Sequence, residues 1–294
     1  MTERGTAVVF AVDALTIDLT ADDKVVAEAI RRRGVEVRPV VWGTEFLADG
    51  PVVIRSPYDY VERPAEFRVW LDDLDASGAA VANPTELLRW NMHKGYLGEL
   101  AARGVAVVPT EILVRGSRRP LTDVMADRGW TRMVIKPAIG ASARQTVSAD
   151  GGDQASLGSA EQHVRRLVET EDVLVQPFLA SIESDGEVSV MVIGGEITHA
   201  VIKRPSLGEW RVQSDFGGSA ERIPVTVEHE RAVMSVLDAV AGLVERAPVY
   251  ARVDMVRVDG ALHLMELELI EPELFFQLAP ESAERLADLV TSLA

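Results

Sequence analysis

The chain of 294 residues contains no cysteine, which excludes disulfides, thiolate catalysis and cysteine-ligated metal sites. No apolar run approaches the roughly 18 residues of a membrane-spanning helix. The N-terminal stretch MTERGTAVVF lacks the small-residue cleavage site of a secretory signal. Together these absences predict a cytoplasmic protein that binds no membrane.

Positive charge is also scarce. The sequence has 30 Lys and Arg residues against 46 Asp and Glu residues, a net charge of −16. A phosphate backbone would be repelled on average, so we expect no nucleic-acid partner. The excess of acidic residues has two interpretations. It could form a solvated surface, or some of the carboxylates could hold a divalent metal, and the net charge alone does not distinguish them.

The motifs of several common enzyme classes are missing. The sequence has no G-x-x-x-x-G-K-[ST] phosphate loop, no G-x-G-x-x-G after its first strand and no G-x-S-x-G elbow. Its five histidines show no H-x-x-x-H pairing, so a zinc site has no support. A hydrolase with a serine or cysteine nucleophile is therefore not indicated.

The first third of the chain alternates strand-like and helix-like segments. An apolar stretch at 6–12 is followed by an amphipathic helix pattern with Asp22 and Asp23 at its start and Gly34 just past its end. Strands separated by helices predict parallel βαβ units, whose ligands bind beyond the carboxyl ends of the strands. The segment RSPYDY, residues 55–60, lies at such an end.

Two strand-like stretches near the C-terminus carry acids among apolar residues, where burial is costly unless something pairs with them. Side chains alternate across a strand, so Glu266 and Glu268 share one face. Glu271 is followed by Pro272 and is expected to lie where the strand ends.

The length of the turn decides whether Asp254 joins Glu266. A two-residue turn at 259–260 would place the two acids on opposite faces, whereas a loop one residue longer pairs Asp254 with Glu266 and Arg252 with Glu268. We favour the three-residue loop because it gathers the polar side chains on one face.

Three clustered carboxylates, those of Asp254, Glu266 and Glu268, repel one another unless one is protonated or a cation lies among them. A few oxygen ligands with room left over suit Mg²⁺ bound together with phosphates. The alternative is an exposed face whose acids are solvated and paired with Arg252 and Arg257.

Two lysines occupy positions that suit phosphate binding. Lys136 closes a strand and precedes the small-residue loop AIGASARQ, whose backbone N–H groups could approach an anion. Lys94 lies near the start of a helix, where free N–H groups also favour anions. The alternative for Lys136 is a stem that runs along the strand and reaches solvent.

Several segments, in this order, resemble those of ATP-grasp proteins: NMHKGYLGELAARGVAVVPT, VIKP, VLVQPFL, GEVSVMVIGGEITHAVIKRP, ARVDMV and MELELIEP. The likeness is closest to the glutathione-synthetase and ribosomal-S6-modification branch, and RSPYDY, RWNMHK and ELELIEP are similar to its D-cycloserine-synthetase-like group. The resemblance implies an α/β ATP-grasp fold. Its parts would be a parallel α/β domain at 1–88, a central segment with the ATP lid at 89–178 and a C-terminal domain with the metal site at 179–294.

The resemblance also implies a nucleotide and metal site. Asp254, Glu266 and Glu268 would hold two Mg²⁺ ions, for which Mn²⁺ could substitute. The family usually has E-x-N where this chain has Glu266-Leu267-Glu268. The residues expected to contact ATP are Lys94 and Lys136 at the phosphates, Gln176, Phe178 and Leu179 at adenine, and Glu187 at ribose.

A substrate site is implied beside the nucleotide. Three arginines, Arg204, Arg211 and Arg252, would bind the transferred phosphate or the acyl intermediate. The substrate pocket is expected to draw on Arg55, Tyr58, Asp59 and Lys203, with Gly217 and Gly218 close by. For Arg55 the alternative is a structural salt bridge.

The implied reaction is an ATP-dependent ligation in which a carboxylate becomes an acyl phosphate and an amine then attacks it. Ring closure within one substrate, as in cycloserine formation, needs the same ATP chemistry, so the sequence leaves both open. The expected partner is a small amino acid or peptide, and a homo-oligomer is compatible with the sequence. A nucleotide-binding regulator without catalysis is disfavoured by the two lysines and three acids.

Overall fold

The structure is a computed structural model that describes residues 7–44 and 50–293. It contains a parallel sheet and two antiparallel sheets, as the α/β prediction requires. The first residue of the predicted first strand, Thr6, lies outside the described residues. Among the described residues, every helix is too short or too polar to cross a bilayer.

The first sheet is parallel, with strand order β2-β1-β3-β4. The helix α1 begins after Thr20, whose side chain accepts a hydrogen bond from the backbone N–H of Asp23, as an N-cap does. The elements of this part are β1 (Ala7–Val12), α1 (Ala21–Arg32), β2 (Glu36–Val41), β3 (Val52–Ser56), a 3₁₀ turn (Tyr58–Val61), α2 (Pro64–Ser77) and β4 (Val81–Ala82).

A second sheet, antiparallel and of order β5-β8-β6-β7, follows two short helices. Its core is formed by apolar side chains of the strands and of α6. The elements are α3 (Thr85–Asn91), α4 (Tyr96–Ala102), β5 (Glu111–Leu113), α5 (Leu121–Arg128), β6 (Arg132–Pro137), β7 (Val147–Asp150), α6 (Gln154–Leu167) and β8 (Val173–Pro177).

The third sheet is antiparallel, with order β11-β10-β9-β12-β13. The predicted glycine turn is confirmed between its first two strands, since Gly194 and Gly195 have φ of 60° and 77°. Its elements are α7 (Ser181–Asp185), β9 (Glu187–Ile193), β10 (Glu196–Arg204), a 3₁₀ turn (Ser214–Phe216), β11 (Ser219–Ile223), α8 (Val227–Ala241), β12 (Tyr250–Val258), β13 (Ala261–Glu268) and α9 (Pro280–Thr291).

The two ends of the chain share one hydrophobic core. Leu286 and Val290 of α9 pack in the same cluster as Phe10 of β1 and Ile30 of α1. At the rim, Arg33 bridges to Glu284 and Asp288 of the C-terminal helix region. The last helix therefore completes the N-terminal layer.

The acid-bearing hairpin has the predicted pairing. Asp254 lies opposite Glu266, and Arg252 lies opposite Glu268. The four polar side chains thus come from neighbouring positions of β12 and β13.

The predicted three-residue loop is wrong. Val258 pairs with Ala261, which leaves a two-residue turn whose members, Asp259 and Gly260, have φ of 50° and 84°. Positive φ at both positions is what a tight hairpin turn requires. The parity changes instead at a β-bulge, where Met265 is the extra residue next to the acid pair.

Candidate active site

A cleft of about 860 Å³ is lined by residues of the second and third sheets and by residues that follow β1 and β3 of the first sheet. It opens beyond the end of β1 and runs between the second and third sheets. The predicted site residues that line it are Tyr58, Lys94, Lys136, Gln176, Phe178, Leu179, Glu187, Lys203, Arg211, Gly218, Arg252, Asp254, Glu266 and Glu268.

The two predicted phosphate-binding lysines converge on one acid. The Nζ atom of Lys94 lies 3.0 Å from one oxygen of Glu266, and that of Lys136 lies 3.8 Å from the other. Burial alone would raise the pKa of Glu266, but Lys94 and Lys136 hold this pKa below its ordinary value. Burial lowers the pKa of Lys136. Glu266 is therefore ionised and placed beside two cations.

Asp254 lies in a second group of charges. Arg252 Nη2 lies 3.0 Å from Asp254 Oδ2, Lys203 Nζ lies 3.4 Å from the same atom, and Ser189 Oγ donates to Oδ1 at 2.5 Å. Lys203 also pairs with Glu187 at 2.5 Å. Burial opposes ionisation, yet Arg252 and Lys203 outweigh it and lower the pKa of Asp254 to about 2.

Of the three predicted metal-binding acids, Glu268 is the one whose charge is least balanced. Arg252 Nη2 also donates to its carboxylate. Burial raises the pKa of Glu268 to about 8, and the neighbouring charges of Asp254 and Glu266 add to the effect of burial while Arg252 opposes it. The carboxylate would be easier to ionise with another cation nearby.

In this structure, Asp254, Glu266 and Glu268 each lie beside the side chain of a lysine or an arginine. Within 7–44 and 50–293, no three His, Cys, Asp or Glu side chains are grouped so that they could hold a metal ion. The donor set nevertheless fits a hard divalent cation, because Asp254, Glu266 and Glu268 offer only oxygen atoms and the raised pKa of Glu268 marks negative charge without enough compensation.

The outer edge of β13 is held by side chains of α3 and α4, which sequence reasoning missed. The hydroxyl of Tyr96 donates to the carbonyl of Leu267 and accepts from its N–H, both at 3.0 Å. Asn91 donates to the Leu267 carbonyl at 2.8 Å and accepts from the N–H of Leu269 at 3.0 Å. These bonds fix the backbone on either side of Glu268. The signal was a pair of polar side chains on otherwise apolar helix faces.

The strand that links the second and third sheets lines the far end of the cleft. The amide of Gln176 donates to Thr110 Oγ1 at 3.0 Å, and the ring of Phe178 lies 3.8 Å below the guanidinium of Arg132 and 6.0 Å from Trp210. The small-residue loop at 141–146 covers another side, with positive φ at its residues Ser142, Ala143 and Gln145.

The loop at 205–218 is packed on itself. Arg211 pairs with Glu209 at 2.7 Å and its guanidinium lies 3.5 Å from the Phe216 ring centroid. Gly217 has φ of 78°, and a side chain at Gly218 would collide with the carbonyl of Val212. Glycine is thus required for the shape of the loop.

Four predicted site residues lie outside the cleft lining, and they are Arg204, Asp59, Gly217 and Arg55. Arg204 is exposed at the end of β10. Asp59 accepts hydrogen bonds from the Trp42 ring and from Arg63 at 2.5 Å each. Gly217 shapes the loop without lining the cleft.

Arg55, the fourth such residue, is 2% exposed. Its Nε lies 2.7 Å from Asp23 and its Nη2 lies 3.5 Å from Asp22, and it lines a separate cavity of about 190 Å³. The structural salt bridge considered for this residue is therefore present.

Glu271 is a cleft residue to which sequence reasoning gave no role. It lies beyond the end of β13, lines the cleft and accepts a hydrogen bond from Tyr60 Oη at 3.1 Å. Burial raises the pKa of Glu271 to about 7.

Comparison with known proteins identifies the family. One family model, the N-terminal domain of D-cycloserine synthetase DcsG, matches residues 8–83, and another, the RimK-like ATP-grasp domain, matches residues 142–272. The chain is 32% identical over 291 residues to the cycloserine biosynthesis protein DcsG of Streptomyces lavendulae, with 94% of each chain covered. The chain belongs to the ATP-grasp superfamily. Within it, the chain falls in the RimK-like branch that includes DcsG.

Further comparisons agree with this ATP-grasp assignment. The chain is 27% identical over 185 residues to the tetrahydromethanopterin:alpha-L-glutamate ligase of Methanosarcina acetivorans, covering 59% of this chain and 55% of that protein. The crystal structure of DcsG superposes with a TM-score of 0.86 and 28% identity, covering 98% and 100% of the two chains. A D-alanine–D-alanine ligase from Bacillus anthracis shares the fold, with a TM-score of 0.67, 15% identity and coverage of 98% and 97%.

This ATP-grasp protein is an ATP-dependent ligase. Ligases of the family use ATP and a divalent metal. The cleft described above lies between the second and third sheets.

Proposed function

We propose that this ligase activates the carboxylate of an amino acid or small peptide as an acyl phosphate and joins it to an amine, with release of ADP and phosphate. The observation that carries the proposal is the meeting of Lys94 and Lys136 at Glu266, next to the acids held by Arg252, in one cleft. The cleft brings together several cations and several carboxylates. The cations suit the phosphates of a nucleotide, and the carboxylates suit the metal that accompanies it.

Asp254, Glu266 and Glu268 are proposed to hold Mg²⁺, for which Mn²⁺ could substitute. When bound, the metal would neutralise charge on the ATP phosphates. Lys94 and Lys136 would bind phosphate oxygens of ATP. In the structure, both lysines instead lie beside the carboxylate of Glu266. The remaining nucleotide contacts are proposed at Gln176, Phe178, Leu179 and Glu187.

The chain's own groups would guide the two steps. In the first, an oxygen of the substrate carboxylate attacks the γ-phosphorus and the bond to ADP breaks. In the second, the amine attacks the acyl carbon, and N–H groups of Arg252 stabilise the oxyanion before phosphate leaves. The loops at 141–146 and 205–218 line the cleft, where they could exclude water from the acyl phosphate.

The other proposed substrate contacts have unequal support. Tyr58 and Lys203 line the cleft, and so does Arg211, although Glu209 and Phe216 occupy its guanidinium. Arg55 and Arg204, outside the cleft lining, have less support.

Ring closure of a single substrate is the second candidate. It is favoured by the 32% identity to DcsG, whose name assigns it to cycloserine biosynthesis. Under this alternative the activated carboxylate and the nucleophilic nitrogen belong to one molecule, and the protein would serve antibiotic biosynthesis.

The decisive experiment incubates the protein with Mg-ATP and a pool of D- and L-amino acids, and then measures ADP and the masses of the products. Ligation is expected to give the summed mass of two substrates less one water, and ring closure the mass of one substrate less one water. The background is the ADP released when amino acids are omitted. If adding amino acids releases no more ADP than this, both ligation and ring closure are contradicted. The expected boundaries at 88 and 178, the cytoplasmic location, the lack of a nucleic-acid partner and the homo-oligomer stay predictions.

A further inference from the structure

One buried carboxylate in the cleft differs from its neighbours. Glu271 is 7% exposed and lines the cleft. It follows β13 in the chain, while its hydrogen-bond donor, Tyr60, comes from the 3₁₀ turn after β3. The contact therefore ties the N-terminal layer to the hairpin that carries the acids.

Four other acids of the cleft each have a cationic partner, whereas Asp13, a buried cleft acid after β1, accepts hydrogen bonds from Leu15 and Thr16 instead. Lys94 and Lys136 face Glu266, and Arg252 faces both Asp254 and Glu268. Glu187 has Lys203.

Glu271 has no such partner. Among the described residues, no Lys or Arg nitrogen lies within 4.0 Å of its carboxylate, and Tyr60 is its hydrogen-bond partner. Lys94 and Arg252 attract this charge without contacting it, and burial outweighs their effect. A buried carboxylate that no cation contacts is unfavourable, because burial penalises its charge.

One oxygen of Glu271 remains available to a ligand. Tyr60 Oη donates to Oε1, and Oε2 has no hydrogen-bond partner among the described residues. Among the described residues, the side-chain N and O atoms that are both fully buried and without a hydrogen-bond partner are Arg55 Nη1, Arg144 Nη1 and Gln213 Oε1. Oε2 of Glu271 is not one of them, so it is not fully buried. This oxygen is therefore reachable from the cleft.

We propose that Glu271 binds a protonated amino group of the amino-acid substrate and that Tyr60 is the positioning residue for its carboxylate. The inference rests on the proposed function, in which the carboxylate of an amino acid is activated in this cleft. It adds that the ammonium group of the same molecule binds to Glu271. An amino acid carries that cation at neutral pH, and the unmatched charge of Glu271 is complementary to it. The ligand class is an amino acid, or a compound with an ammonium group close to its carboxylate.

The test measures binding without turnover. The protein is saturated with Mg²⁺ and a non-hydrolysable ATP analogue and is titrated calorimetrically with a panel of D- and L-amino acids, each paired with its deamino analogue, such as alanine with propionate. The variants are Glu271→Gln, Tyr60→Phe and, as a matched control, Glu273→Gln, which makes the same carboxylate-to-amide change at an exposed residue that also lines the cleft.

We expect the wild type and Glu273→Gln to bind at least one amino acid about 10-fold or more tightly than its deamino analogue, the ratio expected for a charge-assisted hydrogen bond. Glu271→Gln should lose this preference while its affinities for the ATP analogue and Mg²⁺ change less than about 2-fold. Tyr60→Phe, which keeps the carboxylate, should give an intermediate ratio.

The proposal is overturned if no amino acid is preferred by the wild type, if Glu271→Gln keeps the preference, or if it loses Mg²⁺ affinity instead. Thermal unfolding of each variant checks that the fold is intact, and Tyr60→Phe keeps the test informative if Glu271→Gln unfolds. ADP release by the wild type and Glu273→Gln reports separately on the ligase function, so failure of that function is distinguishable from failure of this site.

Discussion

Two buried arginines in this protein each lie between two acids, yet their surroundings differ. Arg55 lies between Asp22 and Asp23, and Arg252 between Asp254 and Glu268. The difference is what else the acids bind and whether they face the cleft.

The acids of the Arg55 group are satisfied by the protein itself, although Nη1 of Arg55 has no hydrogen-bond partner among the described residues. Asp22 accepts the backbone N–H groups of Leu274 and Phe276 at 2.8 and 2.6 Å, and Asp23 accepts Ser56 Oγ at 2.9 Å. These bonds connect α1 and β3 to the loop before α9. All of the partners are fixed groups of the fold, as in a structural cluster.

The Arg252 group has more acid than its cations balance and lines the cleft. One acid, Glu268, has a strongly raised pKa, while another, Asp254, has a lowered one. Opposite shifts in one cluster are typical of functional sites. Residue types do not separate the two arginines, and neither does a raised pKa, because burial raises the pKa of Asp22 to about 6. What separates them is that the Arg252 group lines the large cleft and the Arg55 group does not.

The largest effect is expected from Glu266→Gln, which removes the acid that both lysines contact. We expect ATP turnover to fall by more than the roughly 10–100-fold that loss of an outer-shell partner costs in metal sites. Circular dichroism and thermal unfolding should show an intact fold. Retained ADP release in the purified variant would count strongly against the proposed site.

Arg55→Met should instead reduce stability, because it leaves two buried acids without their cation. Breaking a buried ion pair in this way costs about 3–5 kcal/mol. Urea unfolding measures the loss, with Arg31→Met at an exposed position of α1 as the control. If the folded Arg55→Met protein lost all turnover at unchanged stability, the two arginines would not differ as described.

Tyr96→Phe examines how the strand of the Arg252 group is held. The variant leaves the N–H of Leu267 without its acceptor, at a cost of about 1–3 kcal/mol for an unsatisfied buried donor. We also expect weaker activation by Mg²⁺, since the neighbouring acids lose their fixed backbone. A titration of ADP release against the Mg²⁺ concentration checks this expectation. An unchanged midpoint would show that Tyr96 contributes to stability and not to activation by Mg²⁺.

The smallest effect concerns His199, a buried polar group satisfied by neutral partners. Burial lowers the pKa of His199 to about 4, against partial opposition from its bond to the Leu274 carbonyl. The unfolded chain then binds more protons between pH 6.5 and 4, so stability falls as the pH falls through this window. We expect a loss of about 1 kcal/mol between pH 7 and 5.5. In His199→Gln, urea unfolding at both pH values should show a smaller dependence.

The sequence allowed the acid pairing to be predicted but not the way it is achieved. The parity argument correctly placed Asp254 opposite Glu266, yet the Asp259-Gly260 pair was the better guide to the turn. A bulge at Met265 reconciles them, and a methionine carries no local signal for a bulge. Pairing follows from side-chain chemistry, whereas bulges depend on packing around the strand.

Long-range packing explains the other misses. Nothing near Arg55 in the sequence reveals that Asp22 and Asp23 would reach it from α1. Tyr60 and Glu271 are distant in the chain and meet only because the N-terminal layer packs on the hairpin. Local patterns singled out the two lysines and three acids that line the cleft, because a charged side chain inside or at the end of an apolar strand, or near the start of a helix, is conspicuous in the sequence.

The packing of α9 against β1 and α1 has a consequence for synthesis of the chain. Leu286 and Val290 are made after the strands of all three sheets, yet they pack in one cluster with Phe10 and Ile30. During translation, this face of the N-terminal layer therefore keeps apolar surface uncovered until α9 has emerged from the ribosome. The layer whose strands are made first depends for its completion on a helix that is made after all of them.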